Sequence, residues 1–381
     1  MGVLRILLAL AVVITHSSSG LHDQALPGNV AVEGFFIISG FYIALILNRK
    51  YCFPGATKLF YQQRYLRLAP MYWLAIFCTL GSSAFLTLLA HHPAGKFQIW
   101  TEKWHDMSGI GLVLLALPQL TMLGLDALMY CTFSGHPLAP HFTLNWATEP
   151  LPAVRFILVP PSWSLSVELL FYISAPLLVR RSVRTQLTVA ATAVALCVAT
   201  LVAFHLPWDL LNYALFPFDI SLFLLGSIAF RALPAAQRLV KRLPALRWLL
   251  TAGLLLLVFF YFKIPLQKDV RQWGFLACVL CSVPILFAAS GRDPVDRWIG
   301  EMSYPLYLLH QVTLFTAEPI LRRLSGLSTD VVVLMLPLGV AALAYVCIER
   351  PFEEWRARRF ERTMARAKPA PVLPAAQSQI S

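Results

Sequence analysis

Two ionisable side chains, Arg5 and His16, lie at opposite ends of an uncharged, mostly apolar stretch near the start of the chain. They are eleven positions apart, which corresponds to about 16 Å along an α-helix and returns both to nearly the same face. A neutral imidazole can accept a proton from a hydroxyl near neutral pH, so His16 is a candidate general base. The spacing predicts a polar stripe with a cation at one end and a base at the other.

A carboxylate, Glu168, begins an otherwise apolar segment at about residues 164–179, and Ser164 and Tyr172 share its predicted helix face. A charged group within a membrane segment is costly, so it indicates a functional site facing the interior of the bundle. The alternative is a structural partner for an interior Arg or His. A carboxylate can also hold the tautomer of an imidazole, so we expect Glu168 to act together with His16.

Two further cations, Arg64 and Arg67, are three residues apart and share one helical face. Together with Arg5, they could bind phosphates through bidentate hydrogen bonds. They could equally serve as topology signals beside lipid headgroups, and both interpretations stay open. The candidate pocket residues, for which helix packing is the alternative, are Ser39, Tyr172, Tyr307 and His310.

The composition indicates which elements must position these residues. The chain has 381 residues, of which 58% are hydrophobic and 13% charged, whereas soluble domains have about 25% charged residues. Apolar segments of about 17 to 20 residues recur, which is the length of a membrane helix. We therefore predict an all-α polytopic bundle with about ten spans over residues 1–352, and a basic, flexible cytoplasmic tail over 353–381. Whether residues 109–125 cross the membrane stays open.

The net charge of +12 comes largely from short basic segments, which is typical of the cytoplasmic loops of membrane proteins. This pattern places both termini in the cytoplasm and favours membrane lipids over nucleic acid as partners. The seven cysteines lie mostly within apolar runs, so no metal site is expected. The first apolar stretch ends without a cleavage-site pattern, and we interpret it as a span rather than a signal peptide.

These residues fit two classes of protein. One transfers a group from a phosphorylated carrier at the arginine end to an acceptor at the histidine end. The other is a multi-pass transporter or flippase, which can also use intramembrane His and Glu residues.

Five motifs, in order and over about residues 1–352, resemble the acyltransferase type 3 family of integral-membrane acyltransferases. They are Arg5-x10-His16, Gly34-Phe-Phe-Ile-Ile-Ser-Gly-Phe41, Arg64-x-x-Arg67-Leu-x-Pro70-x-Tyr72, Trp163-Ser-Leu-Ser-Val-Glu168-x-x-Phe171-Tyr172 and Ser303-Tyr-Pro-Leu-Tyr-Leu-x-His310. Each motif alone is weak because apolar helices offer many chance matches, but five in order are specific.

The resemblance implies O-acyl transfer from cytoplasmic acyl-CoA to a hydroxyl of a carbohydrate or related acceptor, as in the modification of bacterial surface polysaccharides. Acetyl-CoA is the commonest donor that it implies, as a co-substrate, with no bound cofactor. It makes His16 the catalytic base, or the nucleophile if an acyl-enzyme forms, with Glu168 orienting it or the acceptor. Arg5, Arg64 and Arg67 become the residues that bind the CoA phosphates. The resemblance also implies the bacterial inner membrane, and homo-oligomerisation stays open.

Overall fold

The computed structural model describes residues 1–17, 20–206, 216–291, 293–321 and 327–367. Its helices are α1 (Gly2–Thr15), α2 (Gly28–Arg49), α3 (Ala56–Ala90), α4 (Lys96–Lys103), α5 (Gly109–Thr121), α6 (Trp163–Leu178), α7 (Val183–Ala203), α8 (Phe216–Ala229), α9 (Leu233–Arg242), α10 (Leu246–Phe259), α11 (Lys268–Ser290), α12 (Pro294–Leu321), α13 (Leu327–Ala344) and α14 (Arg350–Ala367). A short hairpin between α5 and α6 pairs β1 (Cys131–Ser134) with β2 (Ala139–Phe142).

The predicted helical membrane bundle agrees with this architecture. Within the described ranges, six helical segments are long and apolar enough to cross a membrane by length and composition, and three apolar helices are shorter. The expected number of about ten spans therefore stays a prediction. One of the shorter helices is α5, which has 13 residues and covers about 20 Å. Since the hydrocarbon core is about 30 Å thick, α5 alone does not cross it.

Helix α1 is enclosed by its neighbours α2, α10, α12 and α13. Leu8, Ala9 and Ala11 point in different directions around it and are all fully buried, as expected for a helix that is apolar on every side. With 14 residues, α1 is only about 21 Å long. Arg5, near its first end, therefore lies within the bundle and needs a partner or a cavity, whereas His16, just beyond its last residue, is exposed.

The two ends of the bundle are named here by the residues of the first helix. The arginine side holds Arg5 and the start of α12, where Asp296 accepts hydrogen bonds from the backbone N–H groups of Gly2 at 2.8 Å and Val3 at 3.1 Å. These bonds satisfy free donors at the start of α1. The histidine side holds His16 and the later half of α12.

Helices α2 and α8 approach each other at two glycines. A Cβ atom on Gly40 would lie 1.9 Å from the carbonyl oxygen of Phe223, and one on Gly226 would lie 2.0 Å from that of Ile37. The backbones of α2 and α8 are therefore in direct contact at Gly40 and Gly226. This contact fixes the rotation of α2 and so directs the neighbouring Ser39 toward the centre of the bundle.

Replacing Gly40 by alanine is expected to destabilise the protein by at least about 1–3 kcal/mol, since the added methyl group meets backbone atoms that cannot turn aside. The melting temperature of the purified protein measures the loss. Gly81→Ala in α3 is the matched control, because no atom lies within 4 Å of its added Cβ. Equal melting temperatures for the two variants would contradict the close contact.

Part of the segment expected to be a flexible tail, residues 353–367, is helical and belongs to α14. Phe360 of this helix is 9% exposed. Its ring lies 5.7 Å from that of Tyr51, measured between centroids, and the Lys50 ammonium lies 3.8 Å from its centroid. This packing extends the ordered structure beyond residue 352. Residues 368–381 lie outside the described residues.

Candidate active site

A cavity of about 510 Å³ opens among α1, α2, α3, α6 and α12, and we call it the central cavity. Its volume lies within the usual range for a site that binds a small molecule or cofactor. Seven of the nine residues singled out from the sequence line it: Arg5, Ser39, Arg64, Arg67, Glu168, Tyr172 and Tyr307. The structure thus brings together residues from five separate stretches of the chain.

Glu168 is held by two hydroxyl groups in the wall of the central cavity. The Ser39 hydroxyl donates to its Oε1 at 2.7 Å, and the Tyr172 hydroxyl, one helical turn along α6, donates to the same oxygen at 2.5 Å. The sequence suggested that Glu168 would orient His16 or the acceptor. No hydrogen bond joins Glu168 to His16, so the first of these contacts is not formed. Glu168 faces the middle of α2, whereas His16 lies just beyond the end of α1.

The three arginines of the central cavity have different surroundings. Arg67 forms ion pairs through Nη1 with both Glu349 and Glu353, and the side chain of Glu349 is only 3% exposed. In the part of the chain that the structure describes, no carboxylate forms such a pair with Arg5 or Arg64. The charge of Arg67 is therefore neutralised within the protein, whereas Arg5 and Arg64 face the cavity without a direct ion pair.

His16 lies next to His310 rather than next to Glu168. His16 Nδ1 is 2.9 Å from the Val12 carbonyl oxygen and 3.3 Å from His310 Nε2. His310 is fully buried, and its Nδ1 is 2.7 Å from the Tyr307 carbonyl oxygen. The two ring centroids are 5.1 Å apart. We call His16 and His310 the histidine pair.

The hydrogen-bond partners of the histidine pair determine which ring nitrogens carry a proton. A carbonyl oxygen only accepts, so Nδ1 of His310 carries a proton and its Nε2 has a lone pair. By the same reasoning, Nδ1 of His16 carries a proton, which faces the Val12 carbonyl and His310 Nε2. Nε2 of the exposed His16 is then the atom left with a free lone pair. His16 Nε2 is thus the nitrogen of the pair that is available to accept a proton, and His310 lies against the opposite side of the His16 ring.

Tyr307 links the central cavity to the histidine pair. Its hydroxyl is 2.8 Å from the Ser164 hydroxyl and donates to the Pro161 carbonyl at 3.0 Å. Its ring centroid is 6.1 Å from that of Phe35 and 6.3 Å from that of His310. The central cavity therefore extends from the arginine side to a wall directly beside the buried member of the pair.

Glu349 and Glu353, the partners of Arg67, are not among the site residues predicted from the sequence. The signal used for Glu168, a carboxylate next to an apolar span, applies to Glu349 as well. For Glu353 there was no such signal, because it follows the span in a strongly charged segment.

A family model described as an acyltransferase domain matches residues 1–348. The chain belongs to the acyltransferase type 3 family. No curated protein and no solved structure matches it. Family membership and the apolar helices together establish this acyltransferase as a multi-pass integral membrane protein. The matched range contains the histidine pair and all the cavity-lining residues named so far except Glu353.

Proposed function

We propose that this acyltransferase moves an acyl group, most simply acetyl, from cytoplasmic acyl-CoA to a hydroxyl group of a carbohydrate acceptor. The observation that carries the proposal is the course of the central cavity. Arg5 and Arg64 line it at the arginine side, and it extends to Tyr307, whose ring lies beside that of His310. Acyl-CoA has phosphates at one end and a thioester at the other. The phosphates match the arginines at one end of the cavity, and the thioester matches the histidine pair beyond its other end.

The proposed donor enters from the arginine side, which we assign to the cytoplasm because the basic segments lie near it. Arg5 and Arg64 bind the phosphates, and the acyl chain carrier extends past Tyr307 so that the thioester lies at His16 Nε2 on the histidine side. Arg67 supports this end of the cavity through its ion pairs with Glu349 and Glu353. Glu168 places a carboxylate between the two ends, where its hydroxyl partners Ser39 and Tyr172 fix its position. The membrane is then the bacterial inner membrane, with both termini in the cytoplasm.

In the proposed reaction, His16 Nε2 removes the proton of the acceptor hydroxyl as its oxygen attacks the thioester carbonyl carbon. The tetrahedral intermediate collapses, the carbon–sulfur bond breaks, and the thiolate of CoA takes the proton from His16 Nε2. The products are the O-acyl ester and CoA with a free thiol. Throughout, Nδ1–H of His16 faces two acceptors, the Val12 carbonyl and His310 Nε2, which stabilise the transient imidazolium.

The proposal is tested by the mass of surface glycans from cells that carry the wild-type protein, the His16→Ala variant or a gene deletion. We expect an added acyl mass with the wild type alone, and its size identifies the acyl chain. Equal glycan masses in all three strains, with less glycan at the surface of the deletion strain, would contradict acyl transfer to glycans and favour a transporter or flippase.

A further inference from the structure

A second cavity, of about 400 Å³, lies on the histidine side between the later halves of α3 and α12. The segments 95–102 and 155–161 complete its wall, and it shares no lining residue with the central cavity. The two cavities are adjacent at one hydrogen bond: Pro161 lines the second cavity, and its carbonyl accepts the hydroxyl of Tyr307, which lines the central cavity.

Two cations, Lys96 and Arg155, line the second cavity. The Lys96 ammonium donates to the backbone carbonyl of Arg155 at 3.3 Å. Among the residues that the structure describes, no carboxylate forms an ion pair with either side chain. Glu102 also lines the cavity, and it is exposed, as Arg155 is. With two cations and one carboxylate, the lining carries a net positive charge.

The two positive charges affect each other. Burial, and secondly the charge of Arg155, lower the pKa of the Lys96 ammonium to about 8. A bound anion would offset both effects, because it attracts the two cations and replaces lost hydration with hydrogen bonds.

The backbone fixes the position of Lys96. Gly95, just before it, has a φ angle of 64°, and a Cβ atom there would lie 2.8 Å from the Ser83 hydroxyl oxygen and 3.0 Å from the Phe315 ring. Glycine is therefore required for this turn to pack against α3 and α12. The backbone N–H of Lys96 donates to the Ser83 hydroxyl at 3.1 Å. The turn that carries the Lys96 side chain is therefore attached to α3 and is not a free loop.

The remaining polar lining consists of hydrogen-bonding groups that suit an oxyanion. These are hydroxyls and amides from α3, α4 and α12, namely Thr79, Ser83, Gln98 and Gln311. We propose that the second cavity binds a carboxylate or phosphate group through Lys96 and Arg155. The group belongs either to a soluble acidic molecule, such as an acidic acceptor, or to the headgroup of an anionic lipid. This site does not depend on the proposed acyl transfer, since its geometry does not involve the histidine pair.

The test uses the purified full-length protein in an uncharged detergent. The melting temperature is followed while inorganic phosphate, D-glucuronate or the neutral sugar D-glucose is added at constant ionic strength, and in parallel with phosphatidylglycerol or phosphatidylcholine. We expect a saturable rise with at least one anionic probe and no rise with its neutral or zwitterionic counterpart. The double variant Lys96→Gln/Arg155→Gln should weaken the apparent Kd at least about tenfold.

The matched control is Lys263→Gln, which removes an exposed cation on the histidine side that does not line the cavity. It should bind as the wild type does. A response to glucuronate or phosphate identifies a soluble acidic ligand, whereas a response to phosphatidylglycerol alone identifies a lipid headgroup. The proposal is overturned if no anionic probe raises the melting temperature of the wild type, or if the double variant responds equally.

Discussion

Replacing His16 by alanine is expected to lower kcat for acyl transfer by about 100- to 10,000-fold, the usual contribution of a positioned general base. Its side chain is exposed and has contacts with the Val12 carbonyl and His310, so the variant should fold normally. Purified wild-type and variant proteins with radiolabelled acetyl-CoA and a glycan acceptor give the rates. The KM for the donor should stay nearly constant, because the arginine side is untouched.

The control is His22→Ala, which removes another exposed histidine of the same side, one that contacts Asp23 at 3.1 Å. It should transfer acyl groups at the wild-type rate. If His16→Ala also retained the wild-type rate, the base would have to be a different group, and the histidine pair would have only a structural role.

His310 allows a separate test of the positioning role. His310→Leu removes the acceptor that faces His16 Nδ1, and a lost hydrogen bond of this kind corresponds to a decrease in kcat of about tenfold. His310→Gln offers an amide oxygen near the same position and should restore part of the rate. Because His310 is fully buried, the melting temperatures of both variants must be measured beside the rates. A decrease in acceptor affinity at constant kcat would contradict this role.

The sequence predicted the elements of the site better than the contacts within it. Helical periodicity places Arg5 and His16 on one stripe and Ser164, Glu168 and Tyr172 on another, because it fixes the direction of a side chain around its own axis. Periodicity does not show which neighbouring helix the side chain contacts. Glu168 therefore meets Ser39 of α2 instead of the histidine that its chemistry suggested.

Local pattern also could not distinguish Arg64 from Arg67. Both are cations on the same face of α3, three residues apart. The difference arises from the chain end, where α14 brings Glu353 toward one of them. The hairpin between α5 and α6 was missed for a related reason: its strands have four residues each, too few to show a clear alternation.

This difference between the arginines has a measurable consequence. Arg67→Ala leaves Glu349 buried without its partner, and breaking a buried ion pair in this way costs about 3–5 kcal/mol. We expect a large decrease in the free energy of unfolding, measured by denaturant titration in detergent. The double variant Arg67→Met/Glu349→Gln should recover much of this stability, because it removes the unpaired charge together with its partner.

Arg64→Ala should behave in the opposite way. Arg64 has no ion pair among the described residues, so its loss should change the free energy of unfolding little. If it binds a donor phosphate, the KM for acyl-CoA should rise about 10- to 100-fold, as expected for a charge-assisted hydrogen bond. These two predictions assign a structural role to Arg67 and a donor-binding role to Arg64. Equal effects of the two substitutions on stability and on KM would contradict this assignment, because the ion pairs of Arg67 predict that only this arginine supports the fold before the donor binds.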